Sequence, residues 1–119
     1  MAKYVDGFVI PVPRRNVAAY RRMARTAGKI WREYGALAYV ESVADDVKPG
    51  KWTSFPQAVN LEPDETVVFS YIVYPSREER DRINALVMKD PRLAGMGPDA
   101  MPFDGKRMFW GGFELFVEA

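Results

Sequence analysis

The spacing of apolar residues predicts four strands along the chain. Short runs of β-branched and aromatic residues that end at proline, glycine or charged residues are typical of strands. By this criterion the strands are Tyr4–Ile10, Leu37–Val43, Thr66–Tyr74 and Arg107–Val117. Pro11 and Pro13 are expected to close the first strand, and Pro75 the third. Gly111 and Gly112 interrupt the last strand and predict a bulge or a close backbone approach.

Two other segments have the periodicity of helices. In residues 14–34 apolar side chains recur at spacings of three and four, so they share one side of a helix. These side chains are Val17, Tyr20, Ala24, Ala27, Trp31 and Tyr34. Gly35 follows as a helix-terminating glycine. A capping box from Ser76 to Glu79 begins the second helix, which is predicted to end near Asp90.

The order of these elements predicts the fold. Strand, helix, strand, strand, helix, strand is the order of the ferredoxin-like βαββαβ arrangement, an α+β fold with a four-stranded antiparallel sheet and both helices on one face. The stretches 45–65 and 91–105 follow neither pattern and are predicted to be long loops, which often have functional roles. Residues 1–119 are predicted to form a single domain.

Two of the predicted strands are apolar on both faces, which predicts a homodimer. Ser70 is the only polar residue in residues 67–74 that would interrupt the apolar run, apart from tyrosine hydroxyls. Two helices can cover one face, and leaving the other in water forgoes on the order of 10 kcal/mol of apolar burial. Pairing of two sheets about a two-fold axis would cover the second face. The alternative is that the 45–65 loop folds back over its own sheet.

Composition excludes several kinds of chemistry. Among 119 residues there is no cysteine and no histidine. Disulfides, thiol nucleophiles, Ser-His-Asp triads and imidazole-bound zinc or haem are therefore excluded. No metal site or cofactor is predicted, and catalysis would depend on carboxylates, lysine, arginine or hydroxyl groups.

The charge balance and hydropathy limit the partners and the location. Lys and Arg number 17 against 16 Asp and Glu, a formal charge of +1, which argues against a dedicated nucleic-acid binder. No run approaches the roughly 18 apolar residues of a membrane span, and the first residues lack the apolar segment of a signal peptide. We therefore expect a cytoplasmic protein that binds neither nucleic acid nor membrane.

A basic stripe lies along the polar side of the first predicted helix. Its members are Arg21, Arg22, Arg25, Lys29 and Arg32, preceded by Arg14 and Arg15. Such a stripe could bind an anionic ligand. A solvated helix face is the interpretation we favour from sequence, because no aromatic residues are interleaved with the charges and acidic segments elsewhere balance them.

Two carboxylates are candidates for a catalytic base. Asp6 and Glu41 lie in otherwise apolar strands, where partial desolvation would raise a carboxyl pKa and favour proton abstraction. Because the first and last strands are predicted neighbours, Asp6 could meet Lys106 or Arg107, either of which would stabilise an enolate-like anion. A structural ion pair or a charge at the sheet edge is the role that we favour for Asp6 from sequence, and a catalytic base is the alternative.

Six aromatic residues are candidates for lining a pocket that binds a planar apolar molecule. They are Trp31, Trp52, Phe55, Tyr71, Phe103 and Trp110. For Trp31 and Tyr71, a position in the ordinary core is the interpretation that we favour from sequence. Trp52 and Phe55 lie in a predicted loop, where bulky aromatic residues have less structural reason to occur.

Four segments together resemble one known family. They are Tyr4–Val9, Pro49–Pro56, Lys89–Leu93 and Met101–Met108. The resemblance is to the YbaA-like bacterial family of unknown function, within the dimeric α/β-barrel superfamily, and it spans residues 3–118. It implies a ferredoxin-like protomer and a homodimer whose two sheets close into a barrel.

The resemblance implies little about activity. Relatives in the wider superfamily include cofactor-free monooxygenases and isomerases acting on aromatic compounds, and haem-degrading enzymes whose histidine ligand this chain lacks. We therefore expect either binding of a small apolar or aromatic molecule, with proton transfer or cofactor-free oxygenation, or a non-catalytic homodimeric interaction or effector-binding module. A ligand site should appear as a cavity of about 300 Å³ or more at Asp6 or Glu41.

Overall fold

The computed structural model describes residues 2–93 and 101–119. Its strands are β1 (Tyr4–Pro13), β2 (Ala38–Val43), β3 (Glu65–Tyr74) and β4 (Phe109–Glu114). Its helices are α1 (Val17–Glu33), α2 (Phe55–Ala58) and α3 (Arg77–Met88), with a 3₁₀ turn at Arg14–Asn16 before α1. Residues 94–100 of the second predicted loop lie outside the described residues. Within the described residues, no helix is long and apolar enough to cross a membrane.

The four strands form one antiparallel sheet in the order β2-β3-β1-β4. The two central strands are therefore β1 and β3, and β2 and β4 lie at the edges. This is the strand order of the ferredoxin-like arrangement, and α1 and α3 both pack on one face of the sheet. The predicted fold class is confirmed.

β1 and β4 end at different residues from those predicted, and the pairing between these two strands explains the end of β1. β1 continues through Pro11 and Pro13 because β4 extends only to Phe109, opposite Val9. Beyond that point β3 is the only described partner of β1, and a strand with an unpaired edge tolerates proline. β4 is shorter than predicted at both ends. Its pairing runs without a bulge past Gly111, which lies opposite Gly7.

The two helices that the sequence predicts, α1 and α3, begin and end close to their predicted positions. Tyr20, Ala24, Ala27 and Ile30 form the buried side of α1, so the stripe ends at Ile30 rather than at Trp31, which is half-buried. The helix ends before Gly35, whose φ of 120° favours glycine. At the start of α3, the Ser76 hydroxyl accepts a hydrogen bond from the Glu79 backbone N–H at 3.1 Å.

The two faces of the sheet are covered differently. Under α1 and α3, apolar side chains from β1 and β3, including Ile10, Val68 and Ile72, form the main core. On the other face, the segment after α2 packs Val59 against Val9 and Val67. The 45–65 loop thus folds back over one end of its own sheet.

Aromatic side chains elsewhere on this second face are exposed. They are Phe69, Phe109 and Phe113. The loop therefore leaves part of the second face open.

Candidate functional site

A cavity of about 410 Å³ lies between the sheet and the helices. Its walls are mostly apolar and include Phe8, Ile72 and Met88. Asp6 and Glu41, the two carboxylates singled out in the sequence, both border it. Three of the predicted aromatic residues, Trp31, Phe103 and Trp110, also line the cavity. The volume and the position therefore match those expected of a ligand site.

Glu41 is held inside this cavity by hydroxyl groups. The Tyr20 hydroxyl donates to Glu41 Oε1 at 2.8 Å, and the Tyr39 hydroxyl donates to Oε2 at 2.8 Å. Among the described residues, no cationic side chain lies within ion-pair distance of Glu41. Burial raises the pKa of the Glu41 carboxyl, and hydrogen bonds from Tyr20, Tyr39 and Ser70 oppose that rise.

The two tyrosines remain hydrogen-bond donors over the physiological pH range. Burial, together with the nearby Glu41 carboxylate, raises the pKa of both Tyr20 and Tyr39 well above the ordinary tyrosine value. Their hydroxyls stay protonated, so Glu41 is a partly desolvated acceptor with two neutral donors and, within the described part of the chain, no counter-ion. A group of this kind can take up a proton from a bound molecule.

Asp6 has a different environment from Glu41. Its side chain is almost fully buried and forms an ion pair with Arg80 of α3, in which Arg80 Nη2 lies 3.1 Å from Oδ1. Arg80 Nε also donates to both carboxylate oxygens at 3.1 Å. The guanidinium lies 5.0 Å from the ring centre of Tyr4 and 5.9 Å from that of Trp110. Asp6 therefore forms a structural ion pair, the role favoured from sequence, with Arg80 as its partner.

The expected pairing of Asp6 with Lys106 or Arg107 is wrong. In β4 the residue opposite Asp6 is Gly112, and Lys106 lies six positions earlier, in the turn before β4. Lys106 is exposed. Arg107 forms an ion pair with Glu65 at 2.6 Å, and neither Lys106 nor Arg107 lines the cavity.

Three of the predicted aromatic ligands do not line the cavity. Trp52 is 86% exposed in the loop before α2. Phe55 and Tyr71 belong to the second face of the sheet, where both rings pack beside Phe69. Tyr71 alternates with Ser70 and Ile72 along β3, and those two residues face the cavity. Strand parity therefore separates Tyr71 from the site.

Several groups at the site were not identified from sequence. Asn84 on α3 accepts hydrogen bonds from Trp31 Nε1 at 2.9 Å and from the Tyr74 hydroxyl at 3.2 Å. Arg80 was also missed, although it precedes Ile83 by three residues. That spacing places it on the buried side of α3, so helical periodicity could have found it.

A second, outer groove lies between α1 and β2. It has a volume of about 860 Å³ and shares Tyr20, Tyr39 and Glu41 with the wall of the inner cavity. Four members of the predicted basic stripe line this groove. They are Arg21, Arg25, Lys29 and Arg32.

The fold and the cavity together define a ferredoxin-like α+β protein with a pocket between its sheet and helices. Residues 3–105 match the family described as "Protein of unknown function (DUF1428)". The chain belongs to this family. It is 53% identical over 116 residues to "Uncharacterized protein YbaA" of Escherichia coli strain K12, covering 98% of each chain. The same identity and coverage relate it to that protein of Shigella flexneri.

Solved structures support the same fold. A dimeric ferredoxin-like protein from an uncultured marine organism matches with a TM-score of 0.62 at 11% identity, over 100% of both chains. An uncharacterized NIPSNAP domain protein from Burkholderia xenovorans matches with a TM-score of 0.53 at 13% identity, covering 98% of this chain and 95% of that one. The family and these relatives confirm the resemblance seen in the sequence, and none of their descriptions assigns an activity.

Proposed function

We propose that the protein binds a small, largely apolar or aromatic molecule in the cavity between sheet and helices. The observation that supports this most directly is Glu41, a partly desolvated carboxylate in an apolar cavity of about 410 Å³, to which the described residues supply no cationic partner. A core filled only for stability would rarely retain such a group, because burial of a carboxylate without a cationic partner is costly. A ligand that donates a hydrogen bond would complete the set of partners around Glu41.

Proton abstraction is the reaction that this arrangement favours. Glu41 would remove a proton from the carbon next to a carbonyl group. The electron pair of that C–H bond would form a C=C bond, and the π pair of the carbonyl would move to its oxygen to give an enolate. Asn84 borders the same cavity, and its carbonyl oxygen already accepts two hydrogen bonds. Its amide nitrogen is therefore the group we assign as donor to the enolate oxygen. Cofactor-free oxygenation would begin with the same deprotonation, followed by reaction with O₂.

Ligand binding can be tested with the tryptophans that line the cavity. The chain has three tryptophans, and replacing the exposed Trp52 with phenylalanine leaves Trp31 and Trp110 as reporters. Phenols and aromatic ketones titrated into Trp52→Phe should produce a saturable change in fluorescence. In this background Glu41→Gln should weaken phenol binding about tenfold, because a hydrogen bond to a charged acceptor is lost. Glu114→Gln, outside the cavity, is the matched control.

Two results would contradict the binding proposal. One is the lack of a saturable response to any compound in the panel. The other is an equal effect of Glu41→Gln and Glu114→Gln. Catalysis is tested separately, by following deuterium uptake from D₂O at the carbon next to the carbonyl of a bound ketone. Wild-type protein should exchange this position faster than Glu41→Gln, and equal rates would restrict the function to binding.

A homodimer, with sheets that close into a barrel, is a second proposal and rests on a different observation. Phe69, Phe109 and Phe113 leave an exposed apolar area on the second face of the sheet. The described relative from the marine organism is itself a dimeric ferredoxin-like protein. If no ligand binds, this face would favour a homodimeric interaction or effector-binding module. The cytoplasmic location stays a prediction from the sequence.

A further inference from the structure

The cavity between the sheet and the helices is bordered by two carboxylates, and the described residues that line it include no basic side chain. Asp6 and Glu41 are the two carboxylates, and neither lysine nor arginine occurs in this lining. Residue 1 and residues 94–100, outside the described part of the chain, also include neither lysine nor arginine. The cations of the basic stripe line the outer groove instead. The lining therefore favours a cationic ligand over an anionic one.

The two carboxylates differ in what offsets their charge. Asp6 has Arg80 as its ion-pair partner at 3.1 Å. Within residues 2–93 and 101–119, Glu41 forms no ion pair. It accepts hydrogen bonds from the neutral hydroxyls of Tyr20 and Tyr39, which supply donors but no positive charge. A positive charge at Glu41 would therefore have to come from a bound molecule.

Aromatic rings line the same cavity as this carboxylate. Three pairs of neighbouring rings border it, with ring centroids 5.8–6.1 Å apart within each pair. The pairs are Tyr20 with Phe103, Trp31 with Tyr39, and Phe8 with Trp110. Two of the pairs include a tyrosine that donates to Glu41. Because the faces of aromatic rings attract cations within about 6 Å, the rings and the carboxylate favour the same kind of group.

Strand pairing places Glu41 and one of these aromatic pairs in a single row across the sheet. Glu41 lies opposite Ser70, Ser70 opposite Phe8, and Phe8 opposite Trp110. Adjacent strands are about 4.8 Å apart, so about 10 Å separates the backbones at Glu41 and Phe8. Ser70, which lies between them and also lines the cavity, has a small side chain. A ring and a charged group joined by a short alkyl chain could therefore contact Phe8 and Glu41 at the same time.

We propose that the ligand of this cavity is an arylalkylamine, whose ammonium group donates to Glu41 and whose ring packs against Phe8 and Trp110; this inference rests on the proposed function. An ammonium group has three N–H donors and a charge that offsets that of Glu41, whereas a phenol or an alcohol supplies a donor without a charge. Glu41 would repel a ligand that carries a carboxylate at the same end. The site lies on the helix-covered face of the sheet, so it does not depend on the face that the homodimer would cover.

The test compares 2-phenylethylamine, 2-phenylethanol and 3-phenylpropionate, which share a phenyl ring and a two-carbon chain but end in an ammonium, a hydroxyl and a carboxylate group. Binding is followed at pH 7 by the fluorescence of Trp52→Phe, in which Trp31 and Trp110 report on the cavity. The amine is a cation at this pH, because alkylammonium groups such as that of lysine have a pKa of about 10.4. It should bind at least about tenfold more tightly than the alcohol, because its hydrogen bond to Glu41 is charge-assisted. The carboxylate should bind most weakly.

Substitutions at Glu41 test the source of this preference in the same background. Glu41→Gln keeps the size of the side chain but removes its charge, so the amine and the alcohol should bind with affinities within about threefold of each other. Glu41→Asp keeps the charge and should retain a preference for the amine. The matched control is Glu114→Gln, which removes a charge outside the cavity and should leave the preference unchanged. Circular dichroism verifies that the three variants remain folded.

The outcomes separate this inference from the proposed function. Saturable binding of the alcohol, or of the phenols and ketones, without tighter binding of the amine would overturn the amine as ligand and leave the cavity as a binding site. No saturable response to any of these compounds would contradict both proposals. A preference for the amine that persists in Glu41→Gln, or that is lost equally in Glu114→Gln, would place the ammonium group away from Glu41 and would also overturn the inference.

Discussion

Glu41 and Glu65 show how two carboxylates of the same type differ by environment. Burial raises the pKa of Glu41, whereas hydrogen bonds from Arg107 lower the pKa of Glu65. Strand alternation in the sequence predicted that Glu41 would be partly desolvated. The two tyrosines that hold it come from α1 and from β2 itself, and their meeting depends on how the helix lies across the sheet. Sequence alone could not predict that contact.

The raised pKa of Glu41 predicts a pH dependence of stability. The folded protein holds this proton more tightly than the unfolded chain, in which the pKa of glutamate is about 4.3. Its free energy of unfolding should therefore fall as pH rises from that value through the higher folded pKa. Urea unfolding at a series of pH values should show that Glu41→Gln removes this decrease.

Glu65 provides a control of opposite sign. Because its folded pKa is lowered, its contribution to stability is present above the unfolded pKa and is lost as pH falls through the folded value. Glu65→Gln should therefore flatten the acid side of the profile and leave the Glu41 decrease in place. An unchanged profile in Glu41→Gln would contradict the environment described for this carboxylate.

The Asp6–Arg80 pair predicts a second effect at the scale of single residues. Asp6→Asn should lower the free energy of unfolding by about 3 kcal/mol, because it leaves the largely buried Arg80 guanidinium without its main partner. Asp81→Asn is the matched control, since Asp81 pairs with the same guanidinium but its side chain is mostly exposed. That change should cost below about 1 kcal/mol. Equal losses in urea unfolding would mean that burial of Asp6 is not the reason for its effect.

At the scale of elements, β4 and α3 meet at Gly112. A Cβ atom added to Gly112 would lie 2.5 Å from Arg80 Nη2 and would also collide with the Tyr4 hydroxyl. Glycine at this position leaves room for the Arg80 side chain to pass over β4 and reach Asp6 on the helix-covered face of the sheet. The sequence predicted a bulge or a close approach at this glycine pair. The structure shows regular strand pairing without a bulge, and the groups close to Gly112 are the side chains of Arg80 and Tyr4.

Replacing Gly112 with alanine should therefore destabilise the protein. We expect a loss of about 1–3 kcal/mol, typical of overpacking in a tight contact. Gly105→Ala is the control, because an added Cβ there meets no atom within 4 Å. Thermal or urea unfolding of both variants compares the two sites. A Gly112→Ala protein as stable as Gly105→Ala would show that Arg80 and Tyr4 can move away without cost.

Two of the segments that carry the family resemblance, Lys89–Leu93 and Met101–Met108, also connect separate elements of the fold through side-chain contacts. Asp90 accepts hydrogen bonds from the Tyr34 hydroxyl and from Arg92, and so ties the end of α1 to the turn after α3. Arg107 binds Asp104 and Glu65, and so fixes the approach to β4. Local patterns predicted most strands and helices, since periodicity is a local property. They could not reveal the contacts of Asp90 with Tyr34 and of Arg107 with Glu65, which join residues distant in sequence.

At the scale of the whole molecule, the sequence correctly indicated a sheet that is apolar on both faces. The helices cover one face and the segment after α2 covers one end of the other. The open remainder is bounded by Phe69 and Phe113, with Gly7 opposite Gly111 between them on the central and edge strands. Gly7 and Gly111 have no side chain, whereas the aromatic rings beside them project from this face. A second sheet could pack its side chains into the space above the two glycines.

This open face predicts self-association that one substitution should abolish. Light scattering at micromolar concentration should give the mass of two chains for wild-type protein. Phe113→Glu should give the mass of one chain, because it places a charge on the apolar face where the side chain is 62% exposed. Phe116→Glu makes the same change in the exposed segment after β4 and should remain a dimer. A wild-type mass of one chain would contradict the dimer, and dissociation of both variants would place the interface beyond this face.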